Sequence, residues 1–261
     1  MNAQDRTDSG RIAGRTALIT GAGNGLGRAI AGELSACGVR VILTGRHRGK
    51  LEDAEREIGP DVRVATCDTS SAESVAHLAR QLADESISIL VNNAGIAGPV
   101  ASLTDIDVSE WDEVFAVNVR GVFLMCRAFL PPMIKRGSGD IINIASVSGK
   151  RPLARRTPYT ASKMAVIGLT ATLAHEVGRL GVVVNSLSPG PVSGARMTRN
   201  FTLEAQRTGR TAEAAEEEYV SRAAMHRMVT EREVALAVRA MLNMPGLCGA
   251  DIDLSAGMIA R

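Results

Sequence analysis

Thr20-Gly21-Ala22-Gly23-Asn24-Gly25-Leu26-Gly27 follows directly on the apolar run TALIT and leads directly into the helix-forming Arg28-Ala29-Ile30-Ala31. A strand that enters a glycine-rich turn and leaves it as a helix aims unpaired backbone N–H groups and the positive end of a helix dipole at one point. An anion fits there. Gly21 permits a tight turn, while Gly25 and Gly27 let backbone amides approach a pyrophosphate and let the helix pack closely on the strand. Glycine patterns alone are common by chance, so the weight lies in the coincidence of strand, turn and helix. The spacing is TGxxxGxG, which meets the dinucleotide-binding fingerprint GxGxxG in its physics and not in its letters.

Outward from this turn, short β-branched runs alternate with longer helical stretches. After a helix to about Cys37 come VRVILT, a charged helix through Lys50 to Ile58, and the strands Val62–Thr66, Ile87–Asn93, Asp140–Ser146, Val182–Ser188 and Asp251–Leu254. Long helices are expected around Trp111 to Met133 and Pro158 to Arg179. Such alternation predicts an α/β fold: a single-domain, Rossmann-type, doubly wound parallel sheet of about seven strands with helices on both faces. The domain is expected over residues 13–261, after a flexible tail at 1–12. A substrate-loop insertion with its own helix is expected at about 190–228.

Composition narrows the partners. Thirty Lys and Arg against 28 Asp and Glu leave a formal charge of +2, too little for a broad field that grips nucleic acid. Cys37, Cys67, Cys126 and Cys248 are scattered, as in reduced thiols of a cytoplasmic protein. The N-terminus has no apolar stretch of signal-peptide length, and no later run reads as long enough to cross a membrane. His47, His77, His175 and His226 lie far apart, so no catalytic metal is expected.

An acidic residue about 20 residues beyond the turn would accept the ribose hydroxyls of NAD, whereas an Arg there suits the extra phosphate of NADP. Gly45 stands at that place and Arg46 follows it, so the reading favours NADP. The alternative is an Arg46 that stacks on adenine or faces solvent, and the neutral Asn24 supplies no second cation in the turn. Asp68, just past the third strand, is placed to accept from the adenine amino group or to cap the helix that follows.

Tyr159 and Lys163 share one helix face, one turn apart. A phenol titrates near ~10, and a neighbouring ammonium lowers that value, so Lys163 makes Tyr159 usable as an acid and base. Hydride transfer to a carbonyl leaves an alkoxide that needs a proton and a second hydrogen-bond donor, which Tyr159 and Ser146 supply. At helical spacing alone, such a pair is more often an ordinary amphipathic edge.

Taken together, these residues resemble the short-chain dehydrogenase/reductase family over nearly the whole chain from Gly14. The matching motifs are the Thr20–Gly27 turn, Asp68, Asn92-Asn93-Ala94-Gly95, Asn118, Ser146, Tyr159 with Lys163, and Asn185 with Pro189-Gly190. The resemblance implies an NAD(P)-dependent enzyme acting on a carbonyl or secondary alcohol, with Asn118, Ser146, Tyr159 and Lys163 catalytic. It implies that Lys163 binds the nicotinamide ribose and that Asn118 holds a helix irregularity and a proton-conducting water. It further implies that Asn93, Ala94 and Gly95 shape the cofactor floor, that Pro189, Gly190 and Val192 lie beside the nicotinamide, and that the protein is a homotetramer or homodimer. The sequence departs from the family at Gly194, where a Thr is common; Ser193 stands beside it. A catalytically silent dinucleotide-binding sensor or subunit is the alternative. An isomerase or dehydratase fits less well.

Substrate choice is expected to fall to three loops: residues 96–102, 147–157 and the insertion. Lys150, Arg151, Arg155 and Arg156 in the second and Arg196, Arg199, Arg207 and Arg210 in the third suit an anionic substrate, or are solvated or interface charges. Tyr219 reads as a packing residue and Trp111 as an anchor of its helix.

Overall fold

The β-branched runs become β1 (Thr16–Thr20), β2 (Arg40–Gly45), β3 (Val62–Thr66), β4 (Ile87–Asn92), β5 (Gly139–Ile144), β6 (Val182–Pro189) and β7 (Asp251–Leu254) in a computed structural model that describes residues 10–259. They form one sheet in the order β3-β2-β1-β4-β5-β6-β7, every pair parallel. The order reverses between β1 and β4. In open parallel sheets the crevice beyond that switch point is where ligands bind, because the connections leave it in opposite directions.

Neighbouring residues on each strand point to opposite faces, and both faces are covered. Ile19, Leu43, Val91 and Ile144 pack on one side with α1 (Gly25–Ala36), α2 (Arg48–Ile58) and α9 (Glu231–Leu242) through Ile30, Leu34, Leu51, Val234 and Val238. Leu18, Ile42, Leu90 and Ile141 pack on the other with α3 (Ala72–Gln81), α5 (Gly121–Arg136) and α6 (Thr157–Val177) through Leu78, Met125, Phe129 and Val166. Each fully buried Leu or Ile contributes about 1.5–3 kcal/mol, against about 0–1 kcal/mol for an exposed ion pair such as Arg207–Glu204. The core therefore holds the fold.

Three sequence expectations change. The tail expected over residues 1–12 is already folded at Gly10–Ile12, a turn of 3-10 helix whose Ile12 is buried and whose Arg11 bonds Asp140; residues 1–9 lie outside the described residues. The insertion carries two helices, α7 (Ala195–Thr208) and α8 (Ala212–Val220), parted by a left-handed Gly209 and an N-capping Thr211. Finally, α4 (Val108–Phe115) runs into α5 through the π turn Ala116–Arg120, giving one helix, Val108–Arg136, long and apolar enough to cross a membrane by length and composition. Its Met125, Phe129 and Met133 are instead buried against the sheet.

Candidate active site

Most of the site residues lie at the carboxyl ends of the central strands or on the loops that leave them. At the end of β1 the Thr20 hydroxyl accepts the N–H groups of Asn93 and Ala94, each at 2.9 Å. Asn93 returns its amide to the carbonyls of Thr20 at 2.9 Å and Gly21 at 3.3 Å. The turn is thereby stapled to the strand beyond the switch point, its Ala22 N–H donates to the Thr44 carbonyl of β2, and it leads into the N-terminus of α1, whose first N–H groups have no partner within the helix.

Glycine is required in this turn by contact as well as by conformation. A Cβ on Gly27 would lie 2.4 Å from the Gly21 carbonyl oxygen, and one on Gly21, where φ is +64°, would lie 2.9 Å from Ala94 Cα. Such a cradle of bare backbone fits a pyrophosphate, whose charge the amides and helix dipole neutralise. Asn24 precedes α1 without a side-chain cap, and Leu26 in the first turn of that helix packs, partly buried, against the core.

Gly45 closes β2, and a Cβ there would make ordinary van der Waals contact with Leu51 Cδ2 at 3.6 Å and Gly21 Cα at 3.9 Å. Arg46 is exposed. Asp68 Oδ1 accepts both the amide and the hydroxyl of Ser70, while Ser71 caps α3, so the helix-cap alternative for Asp68 is corrected to a local turn. The Ser70 hydroxyl, then its amide and the nearby Arg46 and Arg120, hold the Asp68 carboxyl below its ordinary range.

Asn118 sits at the centre of the π turn and is buried. Its Oδ1 accepts the Ile96 N–H at 2.8 Å, and its Nδ2 donates to the Ile96 carbonyl at 2.9 Å and the Ser162 hydroxyl at 3.0 Å. Ser162 in turn donates to the Tyr159 carbonyl at 2.7 Å. The polar residue within an apolar helix thus links the loop after β4 to the first turn of α6. A Cβ on Gly95 would meet Asn118 Oδ1 at 3.2 Å and Lys163 Nζ at 3.5 Å, so these two side chains converge under that loop.

Lys163 is buried and donates to the Ile144 carbonyl at 2.8 Å, at the end of β5. Its Nζ lies 5.8 Å from the Tyr159 ring centroid. Ser146, just past the same strand, caps the short 3-10 turn Val147–Gly149 by accepting the Ser148 N–H at 3.1 Å. A second polar chain, from Asn92 through Asn143 to Thr170, locks β4 and β5 to α6 from below.

Pro189 ends β6, and Gly190 passes so close to Ser255 that a Cβ would fall 2.9 Å from its Cα. Val192 forms an isolated bridge with Val229, and Ser193 donates to the Val229 carbonyl. The start of the insertion is thus tied to its end.

Ser162 is a part of the site region that the sequence does not single out, while Thr20 reads there only as the start of the glycine turn and Tyr219 only as a packing residue. A hydroxyl three residues after Tyr159 on the same helix was a signal for the first; nothing near Thr20 or Tyr219 in sequence announced their contacts. Tyr219 packs edge-on against Phe201, and burial raises its phenol above the ordinary range. Trp111 stacks on Phe115 at 4.8 Å.

Residues 15–206 match the model of the short chain dehydrogenase family. An uncharacterized oxidoreductase of Staphylococcus epidermidis is 35% identical over 184 residues, covering 70% of this chain and 80% of the relative. A similar protein from Staphylococcus aureus USA300 is 38% identical, covering 69% and 79%. Among solved structures, an actinorhodin polyketide ketoreductase variant with NADPH superimposes with a TM-score of 0.88 at 30% identity, covering 94% of this chain and 97% of the other. NAD+-bound xylitol dehydrogenase gives 0.89 at 29% identity, covering 95% and 100%. On the strength of the family match, the fold and the conjunction of the glycine turn with Tyr159 and Lys163, this chain belongs to the short chain dehydrogenase family and is an oxidoreductase that uses a nicotinamide dinucleotide.

Proposed function

We propose that the protein reduces a ketone, or oxidises the corresponding secondary alcohol, with Tyr159 as the group that gives and takes the proton. The observation that carries this reading is the convergence of Lys163 and Asn118 at Gly95, with the Lys163 Nζ 5.8 Å from the Tyr159 ring centroid and Ser146 just past the strand whose end Lys163 bonds. The bound dihydronicotinamide supplies the hydride. As the carbonyl carbon gains that hydride, its oxygen takes the Tyr159 proton and accepts a hydrogen bond from the Ser146 hydroxyl. The product is the alcohol and the oxidised cofactor. The Lys163 ammonium stabilises the phenolate left behind, and its bond to Ile144 keeps it beside the ring. Through Ser162, Asn118 fixes the backbone that carries Tyr159.

The Gly21–Gly27 turn, Asn93, Ala94 and Gly95, with Pro189, Gly190 and Val192, would hold the dinucleotide. Arg46, exposed beside a Gly45 that carries no carboxylate to repel a phosphate, supports a preference for NADP over NAD. Exposed Val108, Phe123 and Met164 on α4, α5 and α6 support assembly as a dimer or tetramer, and the scattered thiols support a cytoplasmic location. The test is transfer of deuterium from NADPH labelled at the nicotinamide C4 to the carbinol carbon of a ketone, read by mass spectrometry. Labelled alcohol supports the reading. Binding of dinucleotide with no transfer to any member of a broad ketone panel would favour the silent-sensor alternative.

A further inference from the structure

Most of the cations that the sequence offered for an anionic substrate are already engaged. Lys150 is buried between Asp251 and Asp253, Arg207 pairs with Glu204, and Arg210 pairs with Glu218. Arg155 donates to the Val100 carbonyl, and Arg156 to the carbonyls of Ala97 and Gly98 and to Asn200, so these two brace loops. The side chain of Arg196 lies outside the described residues. Such engagement removes Lys150, which holds two carboxylates, and Arg207, which holds one to itself, whereas Arg210 and Arg222 share the single carboxylate of Glu218 and so carry one uncompensated positive charge between them.

Arg151 is different, and Arg222 joins it from the end of the insertion. Both line a small pocket with Ser148, Tyr219, Leu153 and Met258. The pocket lining begins at Val147, the residue after Ser146. The charges of Arg151, Arg222 and Arg156 lower the Tyr219 phenol against the larger effect of burial, which places all three cations around that ring. Arg222 also lies 5.8 Å from the Tyr219 ring centroid and touches Glu218 at 3.2 Å, a carboxylate shared with Arg210. The local balance remains positive. Buried enough to stay protonated, the Tyr219 hydroxyl is a donor, and so is Ser148.

We propose that Arg151 and Arg222, with the hydroxyls of Tyr219 and Ser148, form a subsite for a carboxylate or phosphate carried by the substrate, which makes the protein an oxo-acid or oxo-phosphate reductase. This rests on the hydride-transfer reading. Two arginines lining one small pocket, about 30 Å³ and so large enough for the anionic head alone, suit an anion with several acceptor oxygens, and the carbon chain that joins it to the ketone would run outside the pocket.

The holoenzyme is tested with straight-chain oxo acids whose ketone lies one to four carbons from the carboxylate, each beside its uncharged methyl ester. For at least one spacing, kcat/KM for the acid is expected to exceed that for the ester by about tenfold or more, the effect of one charge-assisted contact. Arg151→Gln and Arg222→Gln should each shrink that ratio, chiefly through KM for the acid. Equal use of acid and ester at every spacing would overturn the subsite while leaving ketone reduction intact. Calorimetric titration of the holoenzyme with glutarate and with inorganic phosphate gives a readout free of turnover. Binding weakened by Arg151→Gln supports the subsite. No binding of either anion, or binding that both substitutions leave unchanged, overturns it.

Discussion

Gly27 and Gly32 lie on the same helix, and replacing each with Ala should move stability in opposite directions. At Gly27 the new methyl would fall 2.4 Å from the Gly21 carbonyl oxygen, 2.6 Å from Asn93 Nδ2 and 2.8 Å from Ala22 Cα, whereas ordinary contact begins at 3.4 Å. Each gap must open by more than half an ångström, and the neighbours are a strained turn and a side chain already bonded to two of its carbonyls. Overpacking of this kind costs about 1–3 kcal/mol, and weakening the Asn93 bonds adds about 1 kcal/mol. The better helix propensity of Ala returns only about 1 kcal/mol. The net loss is roughly 2 kcal/mol, or about 4–8 °C in Tm. At Gly32 the nearest atom is Ile58 Cγ1 at 4.0 Å, so the same substitution should stabilise by up to about 1 kcal/mol. Thermal unfolding followed by circular dichroism, with NADPH titration by fluorescence, measures both. A Gly27→Ala protein as stable as wild type, with unchanged dinucleotide affinity, would refute the account of the cradle.

Arg46→Ala should weaken NADPH binding about tenfold while leaving NADH binding little changed, and Gly45→Asp, which has room for its Cβ, should turn the preference toward NADH; fluorescence titration reads both. Asn118→Ala strips partners from the Ile96 amide and carbonyl and from Ser162; urea unfolding should show a loss of roughly 3 kcal/mol, and steady-state kinetics a fall in kcat larger than the change in KM. Glu233 is held at about 2, chiefly by its bonds to Arg227 and then by the Thr230 amide. Because the folded value is depressed, its contribution is present above the ordinary carboxylate range and is lost as pH falls toward about 2. Thermal melts of Glu233→Gln and wild type should therefore differ at pH 6 and converge in strong acid.

The strands were legible because parallel strands covered on both faces read as short, near-continuous apolar runs, as Ala17-Leu18-Ile19 and Val41-Ile42-Leu43 do. The glycine turn was legible because its neighbours in sequence are also its neighbours in space. The π turn was less so: the single long helix around Trp111 to Met133 was readable and Asn118 within it signalled an irregularity, but nothing in AVNVR specifies that the irregularity is a widened turn. Gly209 followed by Thr211, a left-handed residue and then a cap, was a readable boundary between α7 and α8. The pairing of Lys150 with two carboxylates on β7, about a hundred residues away, could not be read from local pattern. For the same reason Arg222 went unselected until the insertion folded back over Ser148.

The most direct test of the central claim is turnover of a ketone by Tyr159→Phe, followed by loss of dihydronicotinamide absorbance and paired with dinucleotide titration. The phenyl ring preserves packing and removes only the hydroxyl. The account predicts a fall in kcat of about 10²–10⁴-fold with dinucleotide affinity little changed. Turnover at the wild-type rate would contradict it, because the proton would then come from a group other than Tyr159.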